Sequence, residues 1–162
     1  MITLQDVQAT RSRISPHITR TPLLRIPAQD EALGYEVYLK FEGFQIMGAF
    51  KIRGAMNKAL SLTQEELDRG VVCASSGNHA QGVACAAQRL GTRSVIVMPT
   101  TAPAVKMDGV RSFGGVIELV GTLSSQREAR ANELAEKATH GIVDRDSQAY
   151  QFYSRFDRET LK

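Results

Sequence analysis

One lysine in the sequence occupies a position that favours nucleophilic chemistry. Lys51 follows a glycine-containing turn at residues 45–50 and stands at the opening of a predicted helix. A cation at the amino end of a helix opposes the helix dipole, which favours the neutral amine over the ammonium ion. A neutral lysine amine attacks carbonyl carbons and forms covalent intermediates. Since most lysines are only solvated surface charges, it is the position of Lys51 that predicts a reactive amine.

A second group of polar residues predicts an anion-binding site. Residues 75–82 follow a predicted buried strand and lead directly into a helix. In open α/β sheets ligands bind beyond the carboxyl ends of the strands, and the unpaired N–H groups at a helix start attract anions. The candidate donors, with the glycine that lets a ligand approach the backbone, are Ser75, Ser76, Gly77, Asn78 and His79. A purely structural alternative is that these residues cap the helix and form a turn.

Several other classes of function are disfavoured. The loop lacks Gly-x-Gly-x-x-Gly, and no Gly-Lys-Ser/Thr follows it, which argues against nucleotide binding. Cys73 and Cys85 lie in apolar runs without zinc-site spacing, so we expect small buried side chains. The 20 basic and 17 acidic residues leave a net charge of only +3, without basic clusters, which argues against a nucleic-acid partner. No apolar run approaches the roughly 20 residues that cross a membrane, so we expect a cytoplasmic protein without a membrane partner.

The elements that must position these residues alternate regularly from residue 50 onward. The 162 residues are 43% hydrophobic and 23% charged, which is typical of a globular protein. Strands are predicted to start at residues 71, 94, 116 and 142, with room for a helix in each connection. Helices are predicted at residues 50–62, 63–70, 78–90, 103–113 and 124–139. The fold class is therefore α/β, a doubly wound parallel sheet with helices on both faces.

The two ends of the chain differ from this pattern. A helix at residues 4–14, an extended segment at 21–24 and a strand at 37–41 precede it. We divide the chain into an N-terminal segment of residues 1–49, an α/β domain of residues 50–143 and a tail of residues 144–162. Tyr150, Tyr153 and Phe156 in the tail have helical spacing, which predicts an amphipathic helix. The alternative for this tail is a divergent end unrelated to the domain.

Five segments of the sequence together resemble one enzyme family. They are residues 20–23, 39–42 with Gln45, 48–55, 75–82 and 97–99. In order and spacing they are similar to the fold-type II pyridoxal-phosphate-dependent enzymes, in the branch of threonine and serine dehydratases and serine racemases. The resemblance covers residues 4 to about 143 and implies the N-terminal half of that fold. It assigns residues 1–49 to the family's larger domain and residues 50–143 to its small domain.

The resemblance implies a site for pyridoxal 5'-phosphate. Lys51 would hold the cofactor through its amine and later take the Cα proton of the substrate. Phe50 would flank the pyridine ring, and Asn78 would hydrogen-bond the phenolic oxygen. The loop residues Ser75, Ser76, Gly77, Asn78 and His79 would hold the carboxylate of a small amino-acid substrate.

The implied reaction is α,β-elimination from a hydroxy amino acid such as threonine or serine, giving a 2-oxo acid and ammonia. Lys51 and Ser76 are the implied catalytic residues, with Ser76 on the opposite face of the substrate from the lysine. A serine at that position is also the second acid/base of the racemases, so a racemase activity stays open. The β-replacement branch, similar to cysteine synthase, is less favoured because residues 50–53 and 75–79 follow the dehydratase pattern.

The sequence departs from the family pattern in two respects. Met47 and Ala49 stand where the family usually has hydroxyl side chains, and the family's glycine-rich loop for the cofactor phosphate is not found among the 162 residues. We therefore expect weaker anchoring of the cofactor by a truncated chain. Exposed apolar surface would favour self-association or a complementary domain. The alternative function is a catalytically inactive fragment that keeps the carboxylate-binding loop.

Overall fold

The computed structural model describes residues 2–137, which form seven α-helices and five β-strands. The helices are α1 (Leu4–Ile14), α2 (Pro27–Leu33), α3 (Lys51–Ala59), α4 (Gln64–Arg69), α5 (Asn78–Arg89), α6 (Ala104–Ser112) and α7 (Ser124–Lys137). The strands are β1 (Leu23–Arg25), β2 (Tyr38–Lys40), β3 (Val71–Ala74), β4 (Ser94–Met98) and β5 (Val116–Leu119).

The larger sheet has three parallel strands in the order β3-β4-β5. Cys73 of β3 is beside Ile96 of β4, and Ile96 is beside Ile117 of β5. Parallel neighbours need a crossover connection, which α5 provides between β3 and β4 and α6 provides between β4 and β5. The predicted parallel α/β sheet is confirmed for these strands. The fourth strand, predicted to start at residue 142, lies outside the described residues.

Helices cover both faces of this sheet. On one face, Cys73 and Ile96 belong to the main hydrophobic core together with apolar side chains of α5. On the other face, Val97 is fully buried outside that core cluster, and its strand neighbour Glu118 forms an ion pair with Arg130 of α7. Successive residues of a strand point to opposite faces, so α5 and α7 lie on opposite sides of the sheet. The predicted covering of both faces is confirmed.

Helix α4 begins and ends where the sequence predicts. The Thr63 hydroxyl accepts from the Glu66 N–H at 3.2 Å, and the Glu66 carboxylate accepts from the Thr63 N–H at 2.7 Å. This reciprocal pair is a capping box. Helix α3 is shorter than predicted and ends at Ala59 instead of residue 62. The Ser61 N–H donates to the Lys58 carbonyl in a tightened last turn, after which Thr63 must be extended to cap α4.

The N-terminal residues form α1, as predicted, and a separate two-stranded antiparallel sheet of β1 and β2. Leu23 and Leu39 of that sheet are exposed. Helix α2 was not predicted from the sequence. Its Pro27 stands at the first helical position and Gly34 follows its end with φ 73°, a combination that would have located it. The proposed division at residues 49 and 143 stays a prediction.

Within residues 2–137 we find no helix long and apolar enough to cross a membrane. The same residues contain no group of three or more side chains arranged to hold a metal ion. Cys73 and Cys85 are both buried, as expected for small apolar side chains. The amphipathic helix predicted around Tyr150, Tyr153 and Phe156 lies outside the described residues.

We predict that Gly70→Ala destabilises the protein more than Gly91→Ala does. Both glycines have positive φ, 98° and 69° respectively. Only at Gly70 would an added Cβ also press on a backbone atom, the Arg93 carbonyl oxygen at 3.1 Å, whereas nothing lies within 4 Å at Gly91. We expect a loss of about 3 kcal/mol for Gly70→Ala. For Gly91→Ala we expect about 1 kcal/mol.

Urea unfolding of both variants measures these losses. Equal losses in the free energy of unfolding would contradict the importance of the close approach to Arg93.

Candidate active site

Lys51 is the first residue of α3, and its amine lies beside an aromatic ring. The Nζ atom is 5.3 Å from the centroid of the Phe50 ring, a distance typical of a cation–π contact. Lys51 is half-buried, whereas Phe50 is 55% exposed. The predicted placement of the lysine at a helix start is therefore correct. The beginning of α3 presents an amine together with a solvent-facing ring.

The loop after β3 continues the sheet and then opens a helix. The Ser75 N–H donates to the Val97 carbonyl at 3.1 Å, so the loop starts at the carboxyl end of the strands, as predicted. Gly77 is the N-cap residue of α5, and no side chain caps this helix. A glycine therefore caps α5, as the purely structural alternative allows, but it provides no side-chain hydrogen bond to the helix. As in any α-helix, the first N–H groups of α5 have no acceptor within the helix itself.

Gly77 leaves open space beside this helix start. A Cβ built on Gly77 would have no atom within 4 Å. Its φ of −131° lies outside the left-handed region that favours glycine. The absence of a side chain therefore matters for access to the backbone and to Ser75 and Ser76, which are half-buried. This geometry suits the close approach of a small anion.

The first two residues of α5 have different surroundings. Asn78 is exposed, and its Oδ1 accepts a hydrogen bond from Lys106 Nζ at 2.6 Å. His79 is only 9% exposed. The sequence did not single out Lys106, because a lone lysine on a helix belongs to no motif. The tertiary contact between α5 and α6 is the signal that identifies it.

A glycine in α5 brings the lysine and the loop together. A Cβ added to Gly82 would lie 3.3 Å from the Lys51 carbonyl carbon and 3.4 Å from its oxygen. These contacts are close enough that the backbones of α3 and α5 must nearly touch. Gly82 is one helical turn beyond Asn78, so Lys51 lies beside the start of the same helix that carries the loop. The two sequence motifs are therefore neighbours in the fold.

Met47 and Ala49 are the two departures from the family pattern, and both side chains are packed against the protein. The Met47 sulfur would be 3.4 Å from a Cβ on Gly82, so the methionine packs on the α3–α5 contact. Ala49 is 8% exposed. Both side chains therefore contribute apolar contacts where a hydroxyl would have offered a hydrogen bond.

An ion-pair network holds α3 against the N-terminal residues. Arg53, two residues after the lysine, donates to both carboxylate oxygens of Glu42 at 2.7 and 2.8 Å. The buried Thr21 hydroxyl also donates to Glu42, and Lys40 donates to the Thr21 carbonyl at 2.7 Å. The Arg53 hydrogen bonds are the main reason that the pKa of Glu42 falls from 4.5 to about 2. The network joins three of the sequence segments that carry the family resemblance.

Gln45 fixes the turn that leads into α3. Its amide is buried, and it both accepts from the Thr19 N–H and donates to the Thr19 carbonyl, each at 2.8 Å. The turn then reaches Gly48, whose N–H donates to the Gln45 carbonyl and whose φ of 69° favours glycine. The turn that precedes Lys51 is thus fixed by the hydrogen bonds of Gln45 to Thr19 and to Gly48.

The chemistry of these residues fits the ring end of pyridoxal 5'-phosphate. The Lys51 amine is the group that would bond to the cofactor aldehyde, and the exposed Phe50 ring beside it suits an aromatic partner. Asn78 offers an amide at the opening of α5, where the helix has no capping side chain. These are the three residues to which the family resemblance assigns the ring end of the cofactor, and that assignment stays a prediction.

Comparison with protein families finds one match. Residues 14–153 match the family described as pyridoxal-phosphate dependent enzyme. This range contains the lysine turn, the loop and the larger sheet.

Individual proteins are similar over much of this chain. A biosynthetic chloroplastic threonine dehydratase of Solanum lycopersicum is 48% identical over 116 residues, which are 72% of this chain and 19% of the relative. An L-threonine ammonia-lyase of Thermotoga maritima is 44% identical over 137 residues, which are 85% of this chain and 34% of the relative. The structure of maize serine racemase superposes with a TM-score of 0.80 at 38% identity, covering 86% of this chain and 42% of that protein. The chain spans less than half the length of these proteins.

We predict that the Glu42–Arg53 pair stabilises the protein only above acidic pH. The pKa of Glu42 is lowered from 4.5 to about 2 in the folded state, so its stabilisation is present above pH 4.5 and is lost as the pH falls towards 2. We expect Glu42→Gln to remove roughly 2 kcal/mol of unfolding free energy at pH 7 and to flatten its dependence on pH within that window.

Urea unfolding between pH 2 and pH 7 checks this. The matched control is Glu65→Gln, whose exposed carboxylate pairs with Arg69 one helical turn away. A pH dependence that is the same in wild type and Glu42→Gln would refute the prediction.

Proposed function

This chain belongs to the family of pyridoxal-phosphate-dependent enzymes, and on that premise we propose that it carries the lysine and the carboxylate-binding loop of a threonine/serine dehydratase-like protein. The proposed reaction is α,β-elimination from a hydroxy amino acid to a 2-oxo acid and ammonia. The observation that carries the proposal is the contact of Gly82 with the Lys51 backbone, because it makes neighbours of the two groups that this chemistry requires.

Lys51 is proposed to bind the cofactor and to act as the base. When bound, pyridoxal phosphate supplies an electron sink that stabilises negative charge at the substrate Cα. The Lys51 Nζ atom would take the Cα proton of the bound substrate. Phe50 would help to hold the cofactor through its aromatic ring, and the Asn78 amide would donate a hydrogen bond to the phenolic oxygen. The 5.3 Å between the Lys51 Nζ atom and the centroid of the Phe50 ring supports this pairing of amine and ring.

The loop is proposed to hold the substrate carboxylate. The Ser75 and Ser76 hydroxyls and the N–H groups at the uncapped start of α5 are its donors. Gly77 gives the carboxylate access to those groups, since no side chain stands in the way. For His79 the burial of the ring favours a contribution through its backbone N–H. This arrangement orients the Cα–H bond towards Lys51.

A racemase is the second candidate, favoured by the similarity to maize serine racemase. Both reactions begin with removal of the Cα proton by Lys51. They diverge at Ser76, which returns a proton to the opposite face of Cα in a racemase. A racemase forms the D-amino acid, whereas the elimination releases ammonia.

A partner is also proposed. Leu23 and Leu39 of the small antiparallel sheet and the ring of Phe44 are exposed, which favours association with a complementary polypeptide or a second copy. The substrate is a small amino acid, in keeping with the relatives named above. A cytoplasmic location remains a prediction of the sequence.

We predict that pyridoxal phosphate followed by borohydride labels Lys51 selectively. Peptide mass spectrometry should find the adduct on Lys51 in wild type and lose it in Lys51→Ala. The matched control is Lys58→Ala on the same helix, which should retain the label. Because the family chemistry needs the amine, ammonia release from L-threonine or L-serine should also disappear in Lys51→Ala. An equal label in Lys51→Ala would contradict the proposal, and a label without turnover would favour the catalytically inactive alternative.

We predict that Gly77→Ala folds but binds the substrate carboxylate less well. The φ of Gly77 is negative, so alanine meets no left-handed strain, and the new methyl group has no protein atom within 4 Å. The methyl group instead enters the space proposed for the ligand, so L-threonine affinity should fall roughly tenfold, equivalent to about 1.4 kcal/mol. Titration followed by the N–H resonances of residues 75–79 measures this affinity.

Gly91→Ala is the control, since it also adds a methyl group into open space but at the far end of α5. Unchanged L-threonine affinity in Gly77→Ala would rule out the proposed approach of the carboxylate.

A further inference from the structure

Lys106 contacts the proposed site from a helix that the lysine and loop motifs do not include. It lies in the first turn of α6, and its Nζ donates to Asn78 Oδ1 at 2.6 Å across 28 residues of sequence. We propose that Lys106 is a positioning residue that fixes the Asn78 carboxamide as a hydrogen-bond donor towards the cofactor. This inference rests on the proposed function.

The donor and acceptor chemistry determines which way the Asn78 amide is turned. An ammonium group has three donors and no acceptor, so the atom that faces Lys106 must be the oxygen of the carboxamide. The NH₂ group therefore occupies the other edge of the amide. A phenolic oxygen that carries negative charge is held by a donor, which this orientation supplies. Without Lys106 the amide could turn and present its oxygen, which would repel that group.

The packing of α6 on α5 keeps the lysine within reach of Asn78. A Cβ on Gly109 of α6 would lie 2.6 Å from the end of the Gln81 side chain of α5, so that side chain packs directly on the glycine. Further along, a Cβ on Gly115 would lie 3.0 Å from Ala84. These contacts advance along both segments in the same direction, so the beginnings of the helices lie side by side.

The positive charge of Lys106 suits the binding of an anionic ligand better than it suits the stability of α6. A cation in the first turn opposes the dipole of α6 and costs it about 0.3–1 kcal/mol. The beginning of α5, which has no capping side chain, adds positive potential close by. The hydrogen bond to Asn78 offsets part of this repulsion, and a negatively charged ligand beside it would offset more. Lys106 is therefore better suited to the site than to the stability of its own helix.

The first experiment uses the ligand-free protein. The side-chain NH₂ resonances of Asn78, assigned by their loss in Asn78→Ala, are compared in wild type, Lys106→Met, Lys106→Arg and Arg111→Gln. Arg111→Gln is the matched control because it also removes one positive charge from α6, where Arg111 pairs with Asp108. We expect the resonances to move in Lys106→Met and to remain close to wild type in the other two variants. Resonances that do not move in Lys106→Met would overturn the proposal.

The second experiment measures the dissociation constant of pyridoxal phosphate by equilibrium dialysis. We expect Lys106→Met to raise it about tenfold, the size of one charge-assisted hydrogen bond. The same substitution in an Asn78→Ala background should change it less than about twofold, since its effect passes through Asn78. An equal loss in both backgrounds would mean that Lys106 acts only as a charge, which overturns the positioning role.

The two experiments separate this inference from the proposed function. If the wild-type chain fails to bind pyridoxal phosphate while the Asn78 resonances respond to Lys106→Met, the cofactor role is overturned for both residues and only their hydrogen bond stands. If wild type binds and labels Lys51 but Lys106→Met changes neither measurement, the proposed function stands and the positioning role fails. Far-UV circular dichroism of each variant verifies that it is folded.

Discussion

The close approach of α3 and α5 is the constraint on which the rest of the site depends. Gly82 has no side chain, so the backbone of α5 can lie against the Lys51 carbonyl group. A bulkier residue there would separate the helices by the width of its side chain and move the amine away from the loop. Around this contact Ile52 and Met56 of α3 are fully buried. The packing of these core residues thus fixes the positions of the reactive groups, which lie at the edge of the core.

Two polar networks add hydrogen bonds that position the site residues around this apolar contact. Glu42 and Arg53 hold α3 from the N-terminal side, through a bidentate pair supported by Thr21. Lys106 holds Asn78 from the side of α6. The first network is partly buried and rigid, which suits a residue that orients a helix. The second is exposed at Asn78, where a ligand has access.

Much of this arrangement could be predicted from the sequence, because local signals identify it. The capping box at Thr63 and Glu66 located α4, and the alternating apolar runs located the parallel strands. The predicted positions of Lys51 and Asn78 at helix starts were also correct. The Lys106–Asn78 bond could not be predicted in this way, since it joins residues 28 apart through the packing of two helices.

Helix α5 packs against neighbouring elements on several sides at once. Eight of its twelve residues are buried, its Gly82 meets α3, and Gly109 of α6 meets its Gln81. Its exposed positions are few, with Gln88 and Arg89 at the end away from the loop. Larger side chains are therefore best tolerated at that distal end, since the exposed Asn78 at the other end belongs to the proposed site. Substitutions that alter the site without disturbing the core would then lie in the loop and in α6.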